Sequence, residues 1–152
     1  MPTATVAPHW TYTLQLPQGP RAPGVARHTF RHVLRVHGMP ELGETAELLA
    51  RELVTNAYQH SSGPYSLRMR DAGRSRVRLG VWDTDPRIPA PFRWSEQAPA
   101  ELAERGRGLY LVTLYAECWG AHPMRGGLPG QGGKLLWVEC AAKSDCRSGG
   151  LP

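Results

Sequence analysis

The sequence predicts an α/β domain, and three observations predict it. Trp10–Leu16 alternates apolar and polar residues for seven positions, as a half-buried strand does. Two later stretches place apolar residues at three- and four-residue steps, as amphipathic helices do. Tyr65–Arg70 and Arg76–Trp82 are strand-like and are joined by Asp71-Ala72-Gly73-Arg74-Ser75, a turn by composition, so they read as an antiparallel hairpin.

In chain order, the first strand stops at Pro17, and a Pro/Gly-rich turn through Gly24 leads to a helix over 25–37. Val25, Phe30, Val33 and Leu34 are expected to share its buried face before Gly38 and Pro40 end it. The second helix is expected from about Glu41 to His60, with Leu42, Ala46, Leu49, Leu53 and Ala57 forming its core stripe. The hairpin follows. From Thr84 to about Arg105 periodicity is lost and Pro86, Pro89, Pro91 and Pro99 appear; a connection of this length marks a lid or a disordered insert. An apolar helix over Tyr110–Ala116, a short strand around Glu117–Ala121, a glycine-rich loop over Met124–Gly133 and a buried strand over Lys134–Cys140 complete the pattern. The expected division is an N-terminal tail (1–9), a single domain (10–142, lid about 84–105) and a C-terminal tail (143–152).

Composition narrows the function classes. A chain of 152 residues fits one domain with a real core. No window approaches the roughly 18 apolar residues of a membrane span. The start, Met1-Pro2-Thr3-Ala4-Thr5-Val6, has neither a basic region nor an apolar run, so a cytoplasmic location is expected. Cys118, Cys140 and Cys146 are odd in number and lack C-x-x-C spacing, which points to neither a disulfide framework nor a zinc site. A net charge of +5 raises nucleic acid as a partner. Arg27, Arg31 and Arg35 form a row on the first helix but have no interleaved aromatics for base stacking. A solvated face is the first reading of that row and an acidic protein partner the second.

The stretch Glu52-Leu-Val-Thr-Asn56-Ala-Tyr-Gln-His60 carries the chemistry. With Leu53 at the stripe's centre, a turn of about 100° per residue puts Glu52 about 100°, Asn56 about 60° and His60 about 20° from it. The polar row therefore drifts into the apolar face. Polar groups there either are satisfied by other side chains or floor a polar ligand pocket.

Three separated motifs line up: the helix bearing Glu52, Asn56 and His60, a strand ending at Asp83, and a glycine-flanked helix start at Gly106-Arg107-Gly108-Leu109. Their order and spacing resemble the GHKL ATP-binding domain of histidine kinases, heat-shock chaperone ATPases and anti-sigma-factor kinases. Among these the chain looks most like the short anti-sigma-factor serine/threonine kinases and stand-alone regulatory relatives. The resemblance spans roughly Trp10 to Cys140. It implies a two-layer α/β sandwich (α+β), with a mixed, mainly antiparallel sheet, helices on one face, and ATP with Mg²⁺ between the helix layer and the lid.

The resemblance also implies roles. Glu52 matches the glutamate that takes a proton from the attacking hydroxyl, and Asn56 the amide whose oxygen holds Mg²⁺. His60 fits the extended motif in a phosphate-side or structural role. Asp83 matches the acceptor for the adenine amino group, and Gly106, Arg107, Gly108 and Leu109 the phosphate-facing backbone. Two departures are visible. Asp83-Thr84-Asp85-Pro86 lacks the glycines of D-x-G-x-G, and Gly132-Gly133-Lys134-Leu135 has a lysine where threonines are usual. The match supports nucleotide binding better than catalysis. Expected partners are a sigma factor, an antagonist protein and a second copy of the chain, with the alternative of a non-catalytic protein-binding module that keeps a nucleotide site. Nucleic acid is not expected.

Overall fold

The computed structural model describes residues 9–93, 107–125 and 132–141. Their order is β1 (Thr11–Leu16), α1 (Ala22–Val36), a 3-10 turn (Pro40–Leu42), α2 (Gly43–His60), β2 (Tyr65–Gly73), β3 (Arg76–Asp83), α3 (Ala90–Arg93), α4 (Arg107–Tyr115), β4 (Cys118–Arg125) and β5 (Gly132–Ala141). The five strands form one sheet in the order β1-β2-β3-β5-β4, and all four pairings are antiparallel. This is an α+β fold, consistent with the architecture expected from the sequence.

Period-two burial shows which face the helices cover. Tyr65, Leu67 and Met69 of β2, Val77, Leu79 and Val81 of β3, and Leu136, Val138 and Cys140 of β5 are buried in one core with both long helices. The intervening residues face the other way, where Arg68 and Arg70 are exposed. On that face the guanidinium of Arg78 lies 4.1 Å from the centre of the Trp137 ring. Helix α2 is the keystone, contacting α1, α4, β2, β3 and β5. Its stripe is buried as expected: Leu42, Ala46, Leu49, Leu53 and Ala57 are all sequestered.

Several boundaries and faces differ from the sequence reading. Val25 is 52% exposed, and Ala22 and Ala26 join Phe30, Val33 and Leu34 in the core instead. At 100° per residue Val25 lies about 140° from Phe30, on the opposite side of the helix. Arg27 and Arg31 both reach Glu47 of α2, so two members of the arginine row clamp the helix pair rather than standing free. Strand β4 extends to Arg125 and β5 begins at Gly132, which absorbs both ends of the expected glycine-rich loop. The expected lid contains the short helix α3, whose Phe92 is buried edge-on against Trp119 at 5.4 Å. Residues 94–105 of that segment, Gly106, residues 1–8 of the expected N-terminal tail (1–9), residue 142 and the expected C-terminal tail (143–152) lie outside the described residues.

The edge strand β1 is fixed by an aromatic cluster. Trp10 stacks on His37 at 4.6 Å, and the Tyr12 hydroxyl bonds His37 Nε2 at 2.7 Å. The β2–β3 hairpin turns at Arg74 and Ser75, both at positive φ (52° and 59°). Such values continue the right-handed twist of the strands. No helix among the described residues is long and apolar enough to cross a membrane.

Candidate functional site

The C-terminal part of α2 and the end of β3 meet at one end of the domain. Residues just after the helix hold them there. Ser61, 5% exposed, follows α2, and its Oγ lies 2.9 Å from Thr84 Oγ1, one residue beyond β3. On the other side Gln18, two residues after β1, donates its amide to the carbonyls of Tyr58 and Ser61. Carbonyls at a helix end lack intrahelical partners, so this contact satisfies groups the helix itself cannot. Gln18 and Ser61 have no place in the sequence motifs, and Thr84 enters them only as the unspecified residue after Asp83. Only the β2–β3 pairing brings Thr84 back beside Ser61.

On α2 the three motif residues differ in environment. Asn56 is buried, and its Oδ1 has no hydrogen-bond partner among the described residues. Glu52, one turn earlier, is partly buried and takes hydrogen bonds from Arg51 at 3.1 and 3.3 Å. His60 is exposed at the helix terminus. Rotation about the axis alone makes His60 the most buried of the three. As the last residue of α2 it is exposed instead, so burial culminates at Asn56.

Asp83 ends β3 and is 1% exposed. Its Oδ1 accepts the Asp85 N–H at 2.9 Å and a hydrogen bond from Lys134 Nζ at 3.0 Å. The ammonium also donates to the Asp85 carbonyl at 3.1 Å. Lys134 is itself 1% exposed, and the β3–β5 register places it opposite Asp83. Burial pushes the Asp83 carboxyl above the ordinary carboxylate range, against the opposing effects of Lys134 and the Asp85 N–H. Asp85 is held below that range: against its burial, the Arg87 N–H, the Lys134 charge and the Arg87 guanidinium together prevail. The neighbouring backbone is equally close. A Cβ on Gly133 would stand 2.0 Å from the Asp83 carbonyl oxygen, so only glycine fits there.

Arg107 and Gly108 are the first two residues of α4, and Leu109, the third, is buried against the core. Gly106 lies outside the described residues. Helix α4 packs on α2, which puts the glycine-flanked start and the Asn56 helix in neighbouring elements. Among the described residues no group of three or more His, Cys, Asp or Glu side chains forms a metal site. A neutral buried oxygen without a partner nevertheless fits one ligand position of a Mg²⁺ ion whose other ligands are phosphates and water, as Asn56 Oδ1 would supply.

Comparison with known proteins agrees with this arrangement. No curated protein matches the chain. The model of the histidine kinase-like ATPase domain matches residues 16–118, from the end of β1 through α2, Asp83 and α4 to the first residue of β4. The match covers more than half of the chain and includes all eight candidate residues, while Lys134 and the rest of β5 lie beyond it. An antiparallel α+β sandwich, motif residues at the joined ends of α2 and β3, and this match agree: the chain belongs to the histidine kinase-like ATPase domain family.

Proposed function

We propose that the chain is an ATP-binding regulatory domain that works as a protein serine/threonine kinase of the anti-sigma-factor type. It phosphorylates a small antagonist protein and, as a homodimer, binds a sigma factor or similar partner. The observation that carries the nucleotide part is Asn56 Oδ1, a buried acceptor without a partner in a domain of an ATPase family. Mg²⁺, when bound, would neutralise phosphate oxygens beside Asn56. The N–H groups at the start of α4, which precede the first intrahelical bonds, would face the phosphates. Asp83 would accept the adenine amino group.

Transfer would rest on Glu52, which lies one turn from Asn56 on the same helix. Its carboxylate would take the proton of a serine hydroxyl as that oxygen bonds to the γ-phosphorus. The bond from the γ-phosphorus to the bridging oxygen then breaks and ADP leaves. A second reading is favoured by the pairing of Glu52 with Arg51 and of Asp83 with Lys134. Both carboxylates are engaged by cations, as in a protein-binding module whose nucleotide site is retained but idle.

Calorimetric titration of ATP with and without Mg²⁺ tests binding. Label transfer from γ-labelled ATP to a candidate antagonist separates kinase from module. Mg²⁺-dependent binding with transfer is expected, and failure to bind ATP under either condition overturns the proposal.

A further inference from the structure

The Asp83–Lys134 pair lies where the nucleotide reading needs a free carboxylate. Both partners are 1% exposed, and the ammonium is held at two points, by Asp83 Oδ1 at 3.0 Å and the Asp85 carbonyl at 3.1 Å. Asp83 and Lys134 are register partners on adjacent strands, and the β5 backbone at Gly133 presses against the Asp83 carbonyl. The contact is therefore built into the sheet rather than made by a side chain straying across a surface.

A nucleobase amino group is a neutral N–H donor. The Lys134 ammonium is a charged one, and charge-assisted hydrogen bonds are the stronger kind. It is also tethered to the strand opposite, so it competes as an intramolecular ligand at high effective concentration. Taking Asp83 from it strands a buried ammonium, which is costly unless the side chain leaves for solvent. A flexible four-carbon stem permits that departure.

We propose that Lys134 is an internal latch on the base-recognition carboxylate: its ammonium occupies Asp83 Oδ1, the oxygen that a nucleobase amino group would take. The nucleotide binds only when the side chain has swung away, and Lys134 thereby sets the affinity of the site. The inference rests on the nucleotide reading above and adds to it a residue beyond the span the family model matches. A binding-competent fraction below one raises the apparent Kd by its reciprocal, so a latch closed in about nine molecules of ten raises it about tenfold.

The test titrates ATP into the full chain, comparing wild type, Lys134→Thr, and the double variant Asp83→Asn with Lys134→Met, each checked for a cooperative melt. Lys134→Thr should bind ATP at least about tenfold tighter than wild type. The double variant, which lacks both latch and carboxylate, should bind no tighter than wild type. A folded Lys134→Thr with wild-type or weaker affinity overturns the latch. If that variant does not fold, the ¹⁵Nζ resonance of Lys134 in the wild type decides: ATP should move it from slow to fast solvent exchange, and a protected ammonium in ATP-saturated protein overturns the proposal. Absence of ATP binding by both wild type and folded Lys134→Thr removes the nucleotide reading and the latch together, whereas equal binding removes the latch alone.

Discussion

Ser61 Oγ and Thr84 Oγ1 lie 2.9 Å apart and join the residue after α2 to the residue after β3. The bond spans 23 residues of sequence and closes the end of the domain where Asn56 and Asp83 reside. Ser61 Oγ also lies 3.4 Å from both the N–H and the carbonyl of Gly63, so one hydroxyl fixes the helix exit and its link to the strand.

Removing either hydroxyl should loosen this corner. Ser61→Ala and Thr84→Val should each cost about 1 kcal/mol, the usual net worth of a part-buried hydrogen bond. Because each deletes the same bond, their effects should be sub-additive, with a coupling of about 0.5–1.5 kcal/mol. Urea denaturation of the two single variants and the double variant measures this, and full additivity would show that the bond contributes nothing.

Gly133 should tolerate no side chain. A Cβ there would approach the Asp83 carbonyl oxygen to 2.0 Å, and the obstacle is backbone rather than a flexible side-chain tip. Gly133→Ala must push β5 away from β3 at the Asp83–Lys134 step. Overpacking of this kind costs about 1–3 kcal/mol, so a clear fall in melting temperature is expected. An unchanged melt would show that the strands already stand further apart.

Much of this architecture was legible in the sequence, because hydrophobic period reports burial directly. The α2 stripe from Leu42 to Ala57 and the alternation in β2 and β3 show it. Asn56 and Asp83 were found through their motifs, and both prove to be buried polar side chains. What stayed hidden depends on long-range pairing. Lys134 stands out in the sequence as a lysine where threonines are usual, at the head of a buried strand, but only the β3–β5 register sets it against Asp83, 51 residues away. Arg27 and Arg31 read as part of a solvated row until the packing of α1 on α2 brings them onto Glu47. Gly133 reads as loop composition until the closeness of the next strand shows why no side chain fits. His60 shows the converse: its angular position is right for burial, but it is the last residue of α2 and is exposed.

The hairpin turn offers a stabilising change. Arg74 and Ser75 both hold positive φ, a conformation that side chains other than those of Gly, Asn and Asp adopt at a cost. Replacing Arg74-Ser75 with Asn-Gly should stabilise the fold by about 1 kcal/mol. A higher midpoint in urea at unchanged slope is the expected result, and a lower one would contradict the turn geometry.

Glu139 should make stability depend on acid pH. Burial alone would raise its carboxyl, but the Cys118 thiol at 3.1 Å and the Arg78 guanidinium at 3.2 Å outweigh that and hold it below the ordinary carboxylate range. A depressed folded value means stability that is fully present above the unfolded carboxylate pKa and lost as pH falls through the folded one. The melting difference between wild type and Glu139→Gln should therefore be constant near neutrality and shrink under acid. The same contacts act on Cys118, whose thiol is pushed up to about 11 by burial and then by Glu139. In native protein at pH 8 it should resist iodoacetamide, and Glu139→Gln should speed its alkylation.

The contrast between Glu52 and Asn56 decides whether the site is catalytic. Asn56 presents a buried oxygen that a metal bridging the phosphates would use in the ground state, so Asn56→Ala should weaken Mg²⁺-dependent ATP binding itself. Glu52 is partly buried and carries Arg51 on its carboxylate, and its proposed task begins only when a hydroxyl arrives. Glu52→Ala should therefore leave ATP affinity nearly intact while lowering phosphoryl transfer by roughly 10²–10⁴. The two variants should differ in kind, one in the calorimeter and the other in the transfer assay. Arg51→Ala is the companion measurement: if the ion pair merely parks Glu52, transfer should persist or rise without it. Should wild type, Glu52→Ala and Asn56→Ala all bind ATP alike, with no transfer to any antagonist, Glu52 is not a base and Asn56 not a metal ligand. The domain would then act through its surface, with the Glu52–Arg51 pair a structural contact on α2.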